Sequence, residues 1–211
     1  MPASRLPLAD YVGRLVDALQ RVDETQLGLL VSALCGAYQK ERFIFVCGNG
    51  GSGSNASHIC EDFGKSTLAR EDFDDEDVKR LRILSLTDNT PYILAWANDE
   101  GFERVFVEQL KNLASPGDLL IALSGSGESA NVLRATDWAN RYGLQTWGVT
   151  GFDGGRLRRL AQHNLHVPSC DMGTVESIHL LLFHWVLGEV FAHIHHPGGP
   201  AGEEADVVLT H

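Results

Sequence analysis

Along residues 9–39, apolar side chains recur at helical spacing: Tyr11, Leu15 and Leu19, then Leu27, Leu30, Val31 and Leu34. That recurrence marks the inner face of amphipathic helices, and Asp23 and Thr25 mark a break between two of them. After residue 40 the pattern changes. Short apolar runs appear at 42–48 (RFIFVCG), 82–87 (RILSLT), 118–125 (DLLIALSG), 145–151 (QTWGVTG) and 164–168 (NLHVP). Runs of this length that do not alternate with polar residues belong to strands buried on both faces. Helical patterns fall between them, at 55–64, 91–98, 101–113, 128–141 and 155–162, and a last long one spans about Val175 to Ile194. Strands alternating with helices predict an α/β fold, a five-stranded parallel sheet with helices on both faces. The expected organisation is an N-terminal helical extension (1–40), an α/β domain (41–196) and a flexible tail (197–211).

Composition narrows the function. A net charge of −11 argues against a nucleic-acid surface, which needs clustered Lys and Arg. It leaves room for a small anionic substrate, because a local site can be positive inside an acidic protein. No apolar run reaches the roughly 18–20 residues of a membrane span, and the N-terminus has no signal-like core, so no membrane partner is expected. Cys35, Cys47, Cys60 and Cys170 are scattered without a CxxC pair and read as reduced thiols, the pattern of a cytoplasmic protein. The segment REDFDDEDVKR (70–80) reads as a solvated acidic loop, and HIHH (193–196) as a solvated helix end.

Ligands in open α/β sheets sit beyond the carboxyl ends of the strands, so the loops there carry the chemistry. GNGGSGSNAS (48–57) reads as a soft loop whose small residues let backbone amides approach an anion, followed by a helix opening near His58, Glu61 and Asp62. It is neither a Walker A loop nor GxGxxG. SGSGESAN (124–131) offers the hydroxyls of Ser124, Ser126 and Ser129 at a strand-to-helix turn, a phosphate cradle without a lysine. TGFDGG (150–155) reads as a structural turn capped by Asp153.

Five segments together, GNGGS with His58 downstream, ANDEGF (97–102), SGSGESANV, TGFDGG and ESIHLLLFH (176–184), resemble the sugar isomerase (SIS) family of phosphosugar-binding domains. The likeness is greatest to its phosphoheptose isomerases, and it covers nearly the whole chain. It implies a three-layer α/β/α sandwich, a homotetramer with sites at subunit interfaces, and interconversion of sedoheptulose 7-phosphate and D-glycero-D-manno-heptose 7-phosphate. It implies sugar contacts at Asn49, Gly50, Gly51, Ser52, Asn98 and Asp99, and phosphate contacts at Ser124, Gly125, Ser126 and Ser129. His58 and His184 would line the catalytic centre, with Asp62 and Glu176 at the family's other two polar positions. Some members bind zinc through those four positions.

Aldose–ketose isomerisation needs a base, an acid and stabilisation of a developing oxyanion. His58 and Asp62, at i and i+4, share a helix face, and Glu61 lies close to it. The base is therefore Asp62 or Glu61, with His184 as its partner. Two positions depart from the family, which usually has Glu at 62 and Gln at 176. The shorter Asp withdraws the carboxylate by about 1.5 Å, and a misplacement of about 1 Å can cost on the order of 100-fold in rate. Glu176 adds a negative charge, and two His with two carboxylates form a good divalent-metal set. Glu176 and His184 stand about 12 Å apart along a helix, so sharing one ion needs extended side chains or a neighbouring subunit. An alternative reading is a non-catalytic SIS module that binds phosphosugars or a protein partner.

Overall fold

The computed structural model describes residues 6–196; the tail expected at 197–211 lies outside the described residues. Two helices open the fold, α1 (Leu8–Leu19) and α2 (Glu24–Gln39). The Asp23 side chain accepts a hydrogen bond from Thr25 N at 2.9 Å, which caps α2 at the expected break. The chain continues as β1 (Ile44–Cys47), α3 (Gly50–Ser66), β2 (Ile83–Ser85), α4 (Thr90–Asp99) and α5 (Val107–Leu113). Then follow β3 (Leu119–Ser124), α6 (Ala130–Tyr142), β4 (Gln145–Thr150), α7 (Leu157–Leu160), β5 (His163–His166) and α8 (Met172–His195). The five strands form one sheet in the order β2-β1-β3-β4-β5, and every pairing is parallel.

Two hydrophobic layers enclose the sheet. On one face α1, α2, α3 and α8 pack around Leu30, Leu34, Ile59, Phe63, Phe183 and Val186. On the other, α4 to α7 pack around Phe106, Leu110, Val132 and Leu157. Strands β1 and β3 are buried at every position, as their unbroken apolar runs predicted. The N-terminal helices share their core with α8 rather than forming a separate body.

Several boundaries differ from expectation. The soft loop 48–57 is mostly helix, because α3 already begins at Gly50. Gly51 serves close packing: a Cβ there would stand 2.1 Å from a Glu176 carboxylate oxygen on α8. Residues 101–113 split into a 3-10 turn (Phe102–Arg104) and α5, after Gly101 at φ +104° breaks the helical path. The 155–162 helix shrinks to one turn. The last helix starts earlier than expected, at Met172, where the Asp171 carboxylate accepts from Thr174 N at 2.7 Å. Contrary to the hydropathy expectation, α8 is long and apolar enough to cross a membrane by length and composition. Here it is a core helix, with Val175, Ile178, Leu182, Val186 and Val190 buried.

Candidate active site

Strand order reverses between β1 and β3, which opens a crevice at their carboxyl ends. Asn49, just after β1, and Asn131, in the first turn of α6, bridge it. Asn49 Nδ2 donates to Asn131 Oδ1 at 2.8 Å, and Asn131 Nδ2 donates to Asn49 Oδ1 at 2.9 Å. Beside this bridge lies a cavity of about 90 Å³, lined by Asn49, Ser52, Ser124, Gly125, Ser126, Ser129, Met172 and Glu176. That leaves room for a group of phosphate size. Ser124 Oγ donates to Ser129 Oγ at 3.1 Å. Ser129 stands at the N-cap of α6 without making a capping bond, and Val132 N donates to Asn131 Oδ1 at 3.0 Å, so the amides of Ala130 and Asn131 are left for another acceptor. The cavity lining holds one charged group, the Glu176 carboxylate, and no Lys or Arg.

The TGFDGG turn packs directly on this cradle. Gly151 N donates to Gly125 O at 2.8 Å and Leu157 N to Gly127 O at 2.9 Å. Asp153 Oδ1 accepts from Gly155 N at 3.0 Å, as its capping role predicted. Behind the turn, His179 is fully buried on α8, and its Nε2–H donates to Thr150 O at 3.1 Å. Burial pushes the pKa of His179 down to about 4, which keeps the ring neutral.

Further along the α3–α8 seam, His58, Asp62 and His184 meet. Asp62 Oδ2 lies 3.3 Å from His58 Nε2 and 3.1 Å from His184 Nε2. The two imidazoles meet edge to face, with centroids 5.2 Å apart. The side chains are 45%, 21% and 44% exposed for His58, Asp62 and His184, so the cluster opens to one side. Donors held at about 2.1 Å around a tetrahedral zinc stand about 3.4 Å from one another. The two separations to Asp62 match that edge, all three donor atoms lie within 4.8 Å of one another, and three protein donors would leave a fourth position open. The residues present therefore fit zinc.

Not every expected residue joins the cluster. The Glu176 carboxylate lies against Gly51, in the lining of the cradle, and is not among the three grouped donors. The reason is the helical rise of about 12 Å that separates it from His184. Of the two carboxylates left open by the sequence, Asp62 faces the imidazoles and Glu61 is exposed outside the group. Asn98 and Asp99 are exposed at the end of α4, where Asn98 Nδ2 donates to Asp99 Oδ1 at 2.7 Å. Within one chain they line neither the cradle nor the cluster; Asp99 borders a separate cleft with Ala95, Trp96 and Glu100.

Other polar groups at the strand ends escaped sequence reasoning. On another flank of α3, Ser57 Oγ bonds Thr87 Oγ1 at 3.1 Å and also donates to the Asp88 carboxylate; Ser85 Oγ lies 2.5 Å from Thr87 Oγ1. Ser57 and Thr87 border a cavity of about 340 Å³ whose other wall is Ile93, Phe102, Val105 and Phe106. The position of Thr87 and Asp88 just after β2 was the available signal. Burial, helped by the Asp88 carboxylate, pushes the Cys60 thiol far up, so Cys60 stays protonated and is no nucleophile.

Known proteins share the sequence pattern and the fold. The family model for the SIS domain matches residues 9–151. A phosphoheptose isomerase of Crocosphaera subtropica is 37% identical over 167 residues, covering 79% of this chain and 80% of that protein. A phosphoheptose isomerase of Helicobacter pylori strain P12 is 34% identical over 182 residues, covering 86% and 88%. Among solved structures, the phosphoheptose isomerase of Neisseria gonorrhoeae superposes with a TM-score of 0.77 at 25% identity, over 87% of this chain and 96% of that one. That of Francisella tularensis, at 23% identity, shares the fold with a TM-score of 0.78 over 87% and 95%.

Proposed function

The chain belongs to the SIS-domain family, and we propose that it is a phosphoheptose isomerase, interconverting sedoheptulose 7-phosphate and D-glycero-D-manno-heptose 7-phosphate. One observation carries the reading beyond kinship: a carboxylate oxygen shared by two imidazoles lies on the same helix seam as a serine-lined cradle of phosphate size. Ser124, Ser126, Ser129 and the first amides of α6 hold the phosphate, and Asn49, Gly50, Gly51 and Ser52 meet the adjoining sugar carbons. In the ketose-to-aldose direction, the Asp62 carboxylate takes a proton from C1. The electron pair moves to form the C1–C2 double bond and the carbonyl electrons pass to O2. His184 moves a proton between O1 and O2, and the proton on Asp62 returns to C2. Zinc held by His58, Asp62 and His184 would occupy the His184 nitrogen and take over its part, polarising the substrate oxygens as a Lewis acid in place of the imidazole's proton transfer.

The open side of the cluster also supports a homotetramer with sites at its interfaces, because His58 and His184 are nearly half exposed at its rim. Two apolar surfaces on opposite sides of the sheet are available for two distinct contacts. One comprises Leu8, Val12, Val16, Leu181 and Trp185; the other comprises Leu94 and Phe102. The buried free thiols Cys35 and Cys47 support a cytoplasmic setting.

The test is deuterium wash-in from D₂O into sedoheptulose 7-phosphate, with chelated protein and with added zinc. Exchange beside the carbonyl should fall by about 1,000-fold in Asp62→Asn and His184→Ala. Loss of zinc binding in the same variants, read by equilibrium dialysis, checks the metal assignment. Absence of exchange in protein that still binds the sugar would replace the isomerase by a phosphosugar-binding module.

A further inference from the structure

The cradle owes its shape to a neighbour 28 residues away in sequence. Glu128, exposed at the tip of the serine turn, reaches across to Arg156, which opens α7 just after the glycine turn. One carboxylate oxygen accepts from Arg156 N at 2.8 Å, and the other accepts from Arg156 Nε at 2.6 Å. Both oxygens are thus engaged by one residue, through main chain and side chain at once, a geometry that fixes direction as well as distance. These hydrogen bonds and the adjacent guanidinium hold the Glu128 carboxyl below its usual range.

Beneath this pair the two turns touch without any side chain between them. A Cβ on Gly127 would stand 2.0 Å from Gly154 O, and a Cβ on Gly155 would stand 2.5 Å from Ser126 O. The backbone bonds from Gly151 to Gly125 and from Leu157 to Gly127 close the other side. The serine turn is therefore held against the glycine turn by backbone contacts, and the Glu128–Arg156 pair is the side-chain tie at its outer edge. Ser126 and Ser129, the hydroxyls on either side of Glu128, face the phosphate cavity.

We propose that Glu128 and Arg156 are positioning residues: a clasp that sets the serine turn at the spacing the substrate phosphate requires, without touching the phosphate. This rests on the phosphate-cradle reading. An exposed ion pair contributes little to global stability. A shift of the serine turn, in contrast, is felt directly in anion affinity, since positioning losses of about 1 Å can cost on the order of 100-fold. The clasp should therefore appear in binding and be nearly silent in unfolding.

The experiment titrates inorganic phosphate and sedoheptulose 7-phosphate into the full chain by calorimetry, and measures KM and kcat in parallel. Glu128→Ala and Arg156→Ala should each weaken phosphate binding and raise KM about tenfold, with a much smaller change in kcat and an unchanged unfolding midpoint. The double variant should be no worse than either single one, because the two residues act as a unit. Glu128→Gln, which keeps an acceptor for Arg156 N, should recover part of the loss. Glu103→Ala, which breaks the exposed Glu103–Arg134 pair elsewhere, should change nothing. Phosphate affinities equal to the unaltered protein's in both single variants would overturn the clasp. So would additive losses, which would mean that Arg156 meets the phosphate itself. If the unaltered protein binds neither ligand, the cradle reading fails first, and the clasp with it.

Discussion

At the cradle, Ser52, Ser124 and Asn131 are buried, two turns lie in backbone contact, and the amides of Asn49 and Asn131 satisfy each other. Along the same α3–α8 seam, His58 and His184 keep nearly half their side-chain surface exposed, and a single carboxylate oxygen serves both. The first region is complete within one chain, and the second is open on one side. The contrast separates two demands on the fold. Holding a phosphate requires fixed dipoles that need not move, and in the proposed function it falls to packed backbone. Moving a proton requires groups that exchange protons, and in the same proposal it falls to side chains at a rim.

The largest effect expected on the packed region comes from charging its rear support. His179 has an ordinary value near 6.5 when unfolded and about 4 when buried. Between those values the unfolded chain binds the extra proton and the folded chain does not, so stability rises with pH across the window and is lost as pH falls from about 6.5 toward 4. The loss is on the order of 3 kcal/mol, measurable by urea unfolding at a series of pH values. In His179→Phe that dependence should flatten. A slope that survives the substitution would place the titration elsewhere.

Next comes Gly127→Ala. It puts a Cβ at a residue with φ +69°, against Gly154 O, and should cost about 2 kcal/mol. Phosphate affinity should fall with it, while zinc binding at the cluster stays unchanged; equal losses at both would show that the two regions are not separable. The smallest effect probes the charged residue of the cradle. Glu176 places a carboxylate in a cavity otherwise suited to a dianion. Glu176→Gln should therefore tighten inorganic phosphate about tenfold at low salt, and less at high salt. No change on calorimetry would mean that the carboxylate is already neutralised in the working protein.

Much of this was legible in the chain. Five apolar runs located five strands, and the i, i+4 spacing put His58 and Asp62 on one face of α3. Strand-end position singled out the serine turn, because parallel sheets use the same end for every ligand. Other features were not legible, for identifiable reasons. Glycine count made 48–57 look like a loop, whereas Gly51 lets α3 approach Glu176 of α8; propensity yielded to packing. The hydroxyl group of Ser57, Thr87 and Asp88 joins residues about thirty positions apart, and Asn49 and Asn131 are 82 apart. Such pairs are products of topology, and no local spacing announces them. The helical rise between Glu176 and His184 was visible in the sequence, but only the packing against Gly51 decided where that side chain goes.

The paired amides of Asn49 and Asn131 make a closed ring of two hydrogen bonds with no ionisable member. A joint of that kind has no titration curve, and added salt has little to screen in it. The frame at the mouth of the crevice thus keeps one geometry across the pH range in which imidazoles change charge. Above the pH at which His179 takes up its proton, a pH–rate profile of this protein would then report on its movable protons, and the profile could be read group by group.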